Sequence, residues 1–229
     1  MGILRRKPVI VRQSSREPSL SNVKKSSNKV TDSAINYEYM KANVDALEVI
    51  QVGLTLSDSQ GNLPDFGTHF SYVWEFNFNG FDVEKDSCDL DSIELLKRQG
   101  VDFVKNRTKG IDSMDFATLM WSSGLIYNYN SCCGGGLTWI TFHGAYDFGF
   151  LMKILTQRPL PHDFHSFMQQ MAHIFGGNVF DLKHTFKYLG MFGGLEKMAK
   201  MLNLRRRAGS SHQAGSDCLL ASLSTALWP

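Results

Sequence analysis

Two strand-like segments in the first third of the sequence restrict the possible folds more than any other pattern. Residues 49–56 form a run rich in β-branched and apolar side chains, and the run ends in a cluster of turn-forming residues at 57–62. Residues 72–78 then place an aromatic side chain at every second position, which is the period of a β-strand. The two segments therefore predict an antiparallel hairpin.

Further along the chain, strand patterns alternate with helical ones. Strands are predicted at Leu137–Phe142 and Val179–Leu182. Helical patterns lie at Ser92–Gln99, Ser113–Ser122, Asp147–Leu155, Phe164–Phe175, Leu195–Leu202 and from Gln213 to near the end. Strands that come first, followed by strands alternating with helices, predict an α/β fold in which helices cover a sheet.

The first 35 residues differ in composition from the rest. They carry eight Lys or Arg residues against two acids, Glu17 and Asp32, with many serines and one short apolar stretch, Pro8–Val11. Such a segment buries too little surface to offset the entropy of ordering it. We therefore predict a basic, disordered tail over residues 1–35 and one globular domain over residues 36–229. A basic, serine-rich leader also resembles an organelle transit peptide.

Charge, hydropathy and cysteine spacing exclude several classes of protein. The net charge is only +2 for 229 residues, so the surface as a whole is not that of a general polyanion binder. No apolar run approaches the roughly 18 residues of a membrane-spanning helix, so no membrane partner is expected. The cysteines, Cys88, Cys132, Cys133 and Cys218, lack Cys-x-x-Cys spacing, so reduced thiols are expected rather than a zinc or redox site.

Asp147 lies in the first segment where chemistry is expected, Trp139–Gly149. A buried strand there runs into a polar turn at His143 and Gly144, and Asp147 is predicted to open the following helix. Aspartate is among the best residues at a helix N-cap, so taken alone this residue indicates only a cap.

His212 and Asp217 form a second polar segment, directly before an apolar stretch. Two helical residues five positions apart point about 140° away from each other, so one cannot stack on the other. Both can nevertheless border one site at a helix start, because Ala214 and Gly215 between them permit close approach. The alternative, a surface histidine followed by a capping aspartate, stays open for this segment alone.

Together with other short segments, these two motifs resemble a known family. His212–Asp217 has the His-x-Ala-x-x-Asp form of proofreading-type DEDD exonucleases whose fifth catalytic group is histidine. Segments typical of the family occur in its order at Asn43–Leu47, Ile50–Leu56, Trp74–Phe78, Asp91–Leu96, Phe142–Gly149, Gly193–Leu195 and His212–Asp217. Residues 38–220 are similar to the deadenylase subunit of the eukaryotic carbon-catabolite-repressor/NOT complex, and most similar to its plant members.

The resemblance implies an RNase-H-like proofreading-exonuclease fold, with a mixed central sheet flanked by helices, and a poly(A)-specific 3′→5′ exoribonuclease. Two divalent ions, usually Mg²⁺, would clamp the attacking and leaving oxygens of a phosphodiester. By this resemblance Asp147 and Asp217 would be metal ligands, since carboxylate oxygens suit Mg²⁺. His212 would be the general base that takes a proton from the attacking water, and His143 would contact the substrate.

The same resemblance implies partners and a location. The substrate would be single-stranded poly(A) RNA, recognised through its backbone, its stacked bases and its 2′-hydroxyls. The scaffold of the NOT complex and a second deadenylase subunit would be protein partners. The expected location is the nucleus and the cytoplasm, with organelle targeting by the basic N terminus as the alternative.

The sequence departs from the family at the first strand of the fold. The family carries an Asp-x-Glu pair of metal ligands there, in an Asp-Thr-Glu-Phe-Pro-Gly segment, whereas nothing before Tyr37 contains Asp-x-Glu. Pro8–Val11 is expected to replace the missing strand, restoring its backbone pairing without its ligands. The sequence also stops at Pro229, where the family continues its last helix, so a truncated C terminus is expected.

Two interpretations of function follow from this departure, and both stay open at the level of sequence. The first is a poly(A)-specific ribonuclease of the NOT complex whose metal binding is weakened. The second is a catalytically inactive paralogue, or a truncated gene product, that acts as an RNA- or scaffold-binding module.

Overall fold

The computed structural model describes residues 9–10, 29–126 and 137–225. In chain order the elements are β1 (Val9–Ile10), α1 (Lys29–Ala46), β2 (Gln51–Leu54), β3 (Trp74–Asn77), α2 (Leu90–Arg98), α3 (Phe103–Lys109), α4 (Ser113–Ser122), β4 (Trp139–Thr141), α5 (Ala145–Thr156), α6 (Phe164–Phe175), β5 (Val179–Asp181), α7 (Leu182–Tyr188), α8 (Leu195–Met201) and α9 (Ala214–Thr225).

The described strands form two hydrogen-bonded sheets. β1, β4 and β5 make a parallel sheet in the order β1–β4–β5, with Val9 opposite Ile140. β2 and β3 pair antiparallel, with Val52 opposite Phe76, which confirms the predicted hairpin. β1 also contacts β2, and α9 packs against β1, β2 and β4. The strands therefore lie side by side, some parallel and some antiparallel, and helices pack against them. This arrangement confirms the predicted α/β class.

β1 lies within the stretch predicted to replace the family's first strand. Val9 and Ile10 pair with β4 through the backbone, so the expectation for Pro8–Val11 is met at its two central residues. The side chains of valine and isoleucine contain only carbon and hydrogen, so neither can bind a metal ion. The replacement is one of backbone pairing alone.

Helix α1 begins at Lys29, inside the segment predicted to be a tail. Tyr37, Met40 and Val44, spaced by three and four residues, are buried on one stripe of this helix, which packs against α5 and α6. The sequence pattern did not reveal the helix because the apolar stripe is narrow and polar residues surround it. The predicted disorder of the tail before Lys29 concerns residues that, apart from β1, lie outside the described part of the chain.

Helices α4 and α6 have the predicted bounds because each begins at an aspartate N-cap. The carboxylate of Asp112 accepts the backbone N–H of Met114, and that of Asp163 accepts the backbone N–H of Ser166. The other predicted helices differ from the observed ones by no more than about two residues where both ends are described. Helices α3 and α7 were not predicted, because seven residues are too few for a periodic pattern to stand out.

The largest hydrophobic cluster centres on Trp139, which is completely buried. The indole meets Phe175 edge to face at 5.1 Å between ring centroids, and Phe175 meets Phe148 in the same way at 5.0 Å. Such aromatic pairs add about 0.5–1.5 kcal/mol each beyond the area that they bury. The cluster joins β4, α5 and α6 and so anchors the strand that leads into the turn at His143.

Two of the four cysteines lie among the described residues. Cys88 and Cys218 are free thiols, whereas Cys132 and Cys133 lie outside the described residues. Within the described ranges, no helix combines the length and the apolar character that crossing a bilayer requires.

Tyr37 gives the fold a pH-dependent contribution to stability. Its hydroxyl donates a hydrogen bond of 2.6 Å to the carbonyl oxygen of Pro161. Burial, with the nearby charges of Asp45 and Asp163, raises the pKa of Tyr37 from 10.0 to about 12. Because the pKa is higher in the folded chain than in the unfolded chain, this contribution is complete below about pH 10 and is lost as the pH rises through about 12.

We expect Tyr37→Phe to lower the free energy of unfolding by about 1 kcal/mol at pH 8, because it removes the hydrogen bond to Pro161. Between pH 8 and pH 11 the variant should lose less stability than the wild type, because it has no phenol to ionise. Urea unfolding of both proteins at the two pH values measures the difference. An equal alkaline loss in both proteins would show that Tyr37 ionises as easily in the fold as in water.

Candidate functional site

Asp147 lies in the first turn of α5, directly after strand β4. The helix begins at Ala145 with Gly144 at its N-cap, so the prediction that Asp147 opens the helix is wrong by two residues. Glycine occupies the cap because a side chain there would collide with Thr141. Asp147 is only 6% exposed, which makes it a buried carboxylate rather than a surface cap.

Asp181, at the end of β5, holds the turn between β4 and α5. Its Oδ1 accepts the backbone N–H of His143 at 2.8 Å, and its Oδ2 accepts that of Gly144 at 3.0 Å. Oδ1 also accepts the N–H of Lys183 at the start of α7. Asp181 thus fixes the start of the helix that carries Asp147. It did not stand out in the sequence, because an aspartate before a helix is explained as a cap.

His143 and His212 both occupy the left-handed region of backbone conformation. Their φ angles are 64° and 69°, and both side chains are exposed. A residue with a Cβ atom is disfavoured there by about 1–2 kcal/mol, and such strain concentrates at functional sites. The assignment of both histidines to the site, and their separate roles, stay predictions.

The structure brings His212 and Asp217 together at the start of α9. The helix begins at Ala214, and Oδ2 of Asp217 accepts the backbone N–H of His212 at 3.1 Å. Asp217 is 9% exposed, so its carboxylate is buried at this position. The two residues therefore border one helix start, as the spacing predicted. The capping alternative describes the same contact, since the carboxylate accepts an N–H that precedes the helix.

Strands β2 and β3 fix the position of this helix start. Oε2 of Glu75 accepts the backbone N–H of Gly215 at 2.9 Å. Gly53 lies so close to Ala214 that a side chain on Gly53 would collide with the backbone carbonyl of Ala214. Neither contact was visible in the sequence, because each joins residues that are far apart along the chain.

Arg206 is the cation that faces Asp217. Its Nη2 lies 2.7 Å from Oδ1 of Asp217 and 2.9 Å from Oε2 of Glu196, and its Nη1 donates to Oγ of Ser216. Oδ1 of Asp217 is buried and makes no hydrogen bond of good geometry within the described part of the chain. Arg206 therefore balances the charge of Asp217, and a metal ion at this oxygen would have to displace the guanidinium.

The charges of Asp147 and Asp217 both affect the pKa of the Cys218 thiol. Burial raises the pKa of this thiol, and the negative charges of the two aspartates raise it further. Both carboxylates therefore lie near the first turn of α9. Their convergence with His212 on a single ion stays a prediction.

The described side chains do not make up a two-ion metal site. Among them, no group of three or more His, Cys, Asp and Glu residues is arranged so that it could hold a metal ion. Strand β1 consists of Val9 and Ile10, and neither residue type carries a carboxylate. Asp147 and Asp217 are thus half of the carboxylates that the resemblance requires, and one oxygen of Asp217 faces Arg206.

A cleft of about 680 Å³ opens beside His143. Asp181 lies in its wall, together with the aromatic side chains of Tyr39, Tyr146 and Phe164. Aromatic rings provide flat apolar faces on which unpaired bases stack. The cleft therefore combines aromatic side chains with His143 and Asp181.

Comparison with known proteins gives clear relatives, although no protein-family profile matches the chain. The "Probable CCR4-associated factor 1 homolog 7" of Arabidopsis thaliana is 47% identical over 194 residues, which are 84% of this chain and 68% of that protein. The "Poly(A) ribonuclease pop2" of Schizosaccharomyces pombe is 41% identical over 188 residues, which are 82% of this chain and 52% of that protein. The chain thus matches about two thirds of the first relative and about half of the second.

Solved structures agree with these relatives. The S. pombe Pop2p structure in its Mg²⁺ and Mn²⁺ bound form superposes with a TM-score of 0.79 at 36% identity, covering 96% of this chain and 81% of that one. A structure of the yeast NOT1 MIF4G domain co-crystallised with CAF1 gives a TM-score of 0.69 at 32% identity, covering 96% of this chain and 77% of that one. Divalent metal ions are therefore bound by a protein that shares this fold, S. pombe Pop2p.

A more distant structure shows the fold alone. The nuclease domain of 3′hExo, a DEDDh family member, superposes with a TM-score of 0.51 at 10% identity, over 97% of this chain and 90% of that one. The RNase-H-like exonuclease fold implied by the sequence resemblance is thereby confirmed. With the identity and coverage of its relatives, the chain belongs to the CCR4-associated factor 1/Pop2 family of poly(A) ribonucleases.

Proposed function

We propose that this chain is a poly(A)-specific 3′→5′ exoribonuclease of the CCR4–NOT complex and that it binds divalent metal ions more weakly than its relatives. The observation that carries the proposal is the pair of buried carboxylates, Asp147 and Asp217, beside strained histidines on a framework shared with metal-bound Pop2p. The weakening follows from the lack of an Asp-x-Glu pair in the sequence before Tyr37 and from the guanidinium of Arg206 against Asp217.

Each residue of the site would have a separate role in the reaction. His212 would accept the proton of the attacking water through its imidazole, a role typically worth about 10²–10⁴ in rate. Asp147 and Asp217 would hold a divalent ion, whose charge would offset that of the phosphodiester. His143, at the mouth of the aromatic cleft, would contact the 3′-terminal nucleotides of a single-stranded poly(A) substrate.

We expect slow shortening of a 5′-labelled 20-nucleotide poly(A) RNA by the wild-type chain in Mn²⁺ and a fall of at least about tenfold in Asp217→Asn. The asparagine keeps the shape of the side chain but removes the charge that attracts the ion. Denaturing gels over a time course measure the rate. Asp65→Asn, an exposed aspartate in the β2–β3 connection, serves as the matched control and should not change it.

Equal rates in the wild type and in Asp217→Asn would show that the observed hydrolysis does not come from this site. Shortening of poly(U) at the rate of poly(A) would contradict the poly(A) specificity. A complete lack of shortening, with RNA binding intact, would favour the inactive paralogue.

We also propose that the chain assembles with the scaffold of the NOT complex and with a second deadenylase subunit. Supporting features are the structure of a relative bound to a NOT1 MIF4G domain and the exposed apolar side chains of Met114, Leu119 and Trp121 on α4. Exposed apolar patches mark interaction sites in soluble proteins. Capture of the chain by an immobilised MIF4G domain, and its loss in Leu119→Glu, tests the scaffold contact.

The location that follows from this proposal is the nucleus and the cytoplasm, where messenger RNA is made and degraded. Imaging of the fluorescently tagged full chain in plant cells tests it. An organelle signal would instead favour the targeting role considered for the basic N terminus.

A further inference from the structure

A continuous segment of the chain beside the candidate site, whose two helices contribute to one apolar cluster, combines basic and aromatic side chains. It consists of α7, α8 and the segment that follows α8, residues 182–207, and is called the α7–α8 surface below. These residues hold seven of the chain's 24 Lys and Arg but only one of its 22 acids, Glu196. Since Glu196 pairs with Arg206, the surface carries a strong net positive charge, and the remainder of the chain is net acidic.

The six other cations of this surface are all exposed: Lys183, Lys187, Lys197, Lys200, Arg205 and Arg207. Surface potential of one sign raises the local concentration of ligands of the opposite sign. The expected ligand is therefore a polyanion.

Large aromatic rings stand among these cations. Tyr188 is 81% exposed and Phe192 is 59% exposed, and Phe180 at the entry to α7 is also exposed. His184 meets Tyr188 edge to face with 5.3 Å between the ring centroids. Leaving such rings in water forgoes the stabilisation that burying apolar surface gives, about 25 cal/mol for each Å². A ligand with flat apolar faces would recover it.

The α7–α8 surface is joined to the candidate site at both of its ends. At the start of α7, Asp181 accepts hydrogen bonds from His143 and Gly144. After α8, Arg206 contacts Asp217. A chain molecule bound along this surface would therefore pass close to the residues of the candidate site.

We propose that the α7–α8 surface binds the single-stranded RNA upstream of the nucleotide being removed, holding its phosphates with the lysines and stacking its bases on Tyr188 and Phe192. The inference rests on the proposed function, because it takes the substrate to be such an RNA. Lysine and arginine bind phosphates, and exposed aromatic rings stack bases without regard to sequence. A protein partner fits less well, because lysine is depleted in the cores of protein interfaces.

Two pairs of lysines allow a matched test. Lys183 and Lys187 lie four residues apart on the seven-residue helix α7, and Lys105 and Lys109 lie four residues apart on the seven-residue helix α3. All four are exposed. The double variants K183Q/K187Q and K105Q/K109Q therefore remove the same charge from helices of the same length.

We expect K183Q/K187Q to weaken binding of a fluorescent 20-nucleotide poly(A) RNA by about tenfold or more in 0.1 M salt, and K105Q/K109Q to change it less than twofold. The slope of log Kd against log salt should fall by about 1.4 in the α7 variant, because two phosphate contacts are lost. Fluorescence anisotropy in EDTA measures both quantities, since without divalent ions the RNA stays intact.

A second variant, Tyr188→Ala with Phe192→Ala, isolates the stacking. It should weaken binding by about fivefold or more with an unchanged salt slope, because no charge is removed. Circular dichroism of each variant confirms that the helices remain folded.

Equal losses from the α7 and α3 pairs would overturn the proposal, because they would mean general attraction to a charged protein. Unchanged RNA binding in the α7 and aromatic variants would overturn it too, and a loss of MIF4G capture in the same variants would assign the surface to a protein. The poly(A) shortening assay is separate, so an inactive chain that still binds RNA through this surface would refute the proposed activity and leave the inference standing.

Discussion

Replacing residues 1–28 with the first-strand segment of the family, including Asp-Thr-Glu-Phe-Pro-Gly, is expected to raise the rate of poly(A) shortening by about 100-fold or more. Loss of a residue that merely orients a metal ligand typically costs about 10–100-fold, and here two ligands are restored. The replacement ends before Lys29 because α1 begins there and its buried stripe belongs to the core. The new strand can pair with β4 as Val9 and Ile10 do, since the pairing uses only backbone groups.

The matched control carries Asn-Thr-Gln in place of Asp-Thr-Glu, which keeps the strand and removes both charges. Titration calorimetry with Mn²⁺ should show tighter binding to the acidic replacement than to the control or to the wild type, because carboxylates offset the charge of the ions. Rapid shortening by the unmodified chain, equal to that of the replacement, would show that the family's acids are not needed here. Asp217→Asn in the replacement should abolish the recovered activity.

Gly53→Val is expected to destabilise the protein by about 2–3 kcal/mol and to disorganise the candidate site at the same time. The added side chain would collide with backbone atoms of Ala214 and Gly215. A backbone cannot rotate out of the way as a flexible side chain can, so the collision is costly. Because α9 begins at Ala214, relief of the collision must move the helix start that brings His212 and Asp217 together. RNA-shortening activity should therefore fall even under conditions where most of the protein remains folded.

Gly177→Ala is the control, because a methyl group there meets no atom within 4 Å and should change stability by no more than about 0.5 kcal/mol. Urea unfolding measures both variants, and the gel assay measures activity at low urea. A free energy of unfolding in Gly53→Val equal to that of the wild type would show that β2 and α9 can move apart at no energetic cost. It would contradict the tight packing between them.

Local signals in the sequence were sufficient for much of the secondary structure. Helical patterning predicted Ser113–Ser122 and Phe164–Phe175 with the bounds that α4 and α6 have, and aromatic alternation predicted β3. Helix α1 was missed because, over the residues of the helix whose burial is described, only Tyr37, Met40 and Val44 face the core, too few to stand out among polar neighbours. The observed start of α5 differs from the predicted one by two residues. The close fit of Gly144 against Thr141 places glycine at the N-cap, and this steric constraint outweighs the preference of Asp147 for a cap position.

The sequence by itself determined the family, the hairpin, the positions of Asp147, His212 and Asp217, and the absence of an Asp-x-Glu pair before α1. Each of these is a matter of residue identity and short-range spacing. Only the tertiary structure decided that Val9 and Ile10 pair with β4, that Asp181 holds the turn at His143, and that Arg206 faces Asp217. These contacts join residues distant in sequence, and their energies depend on burial and distances that exist only once the chain has packed.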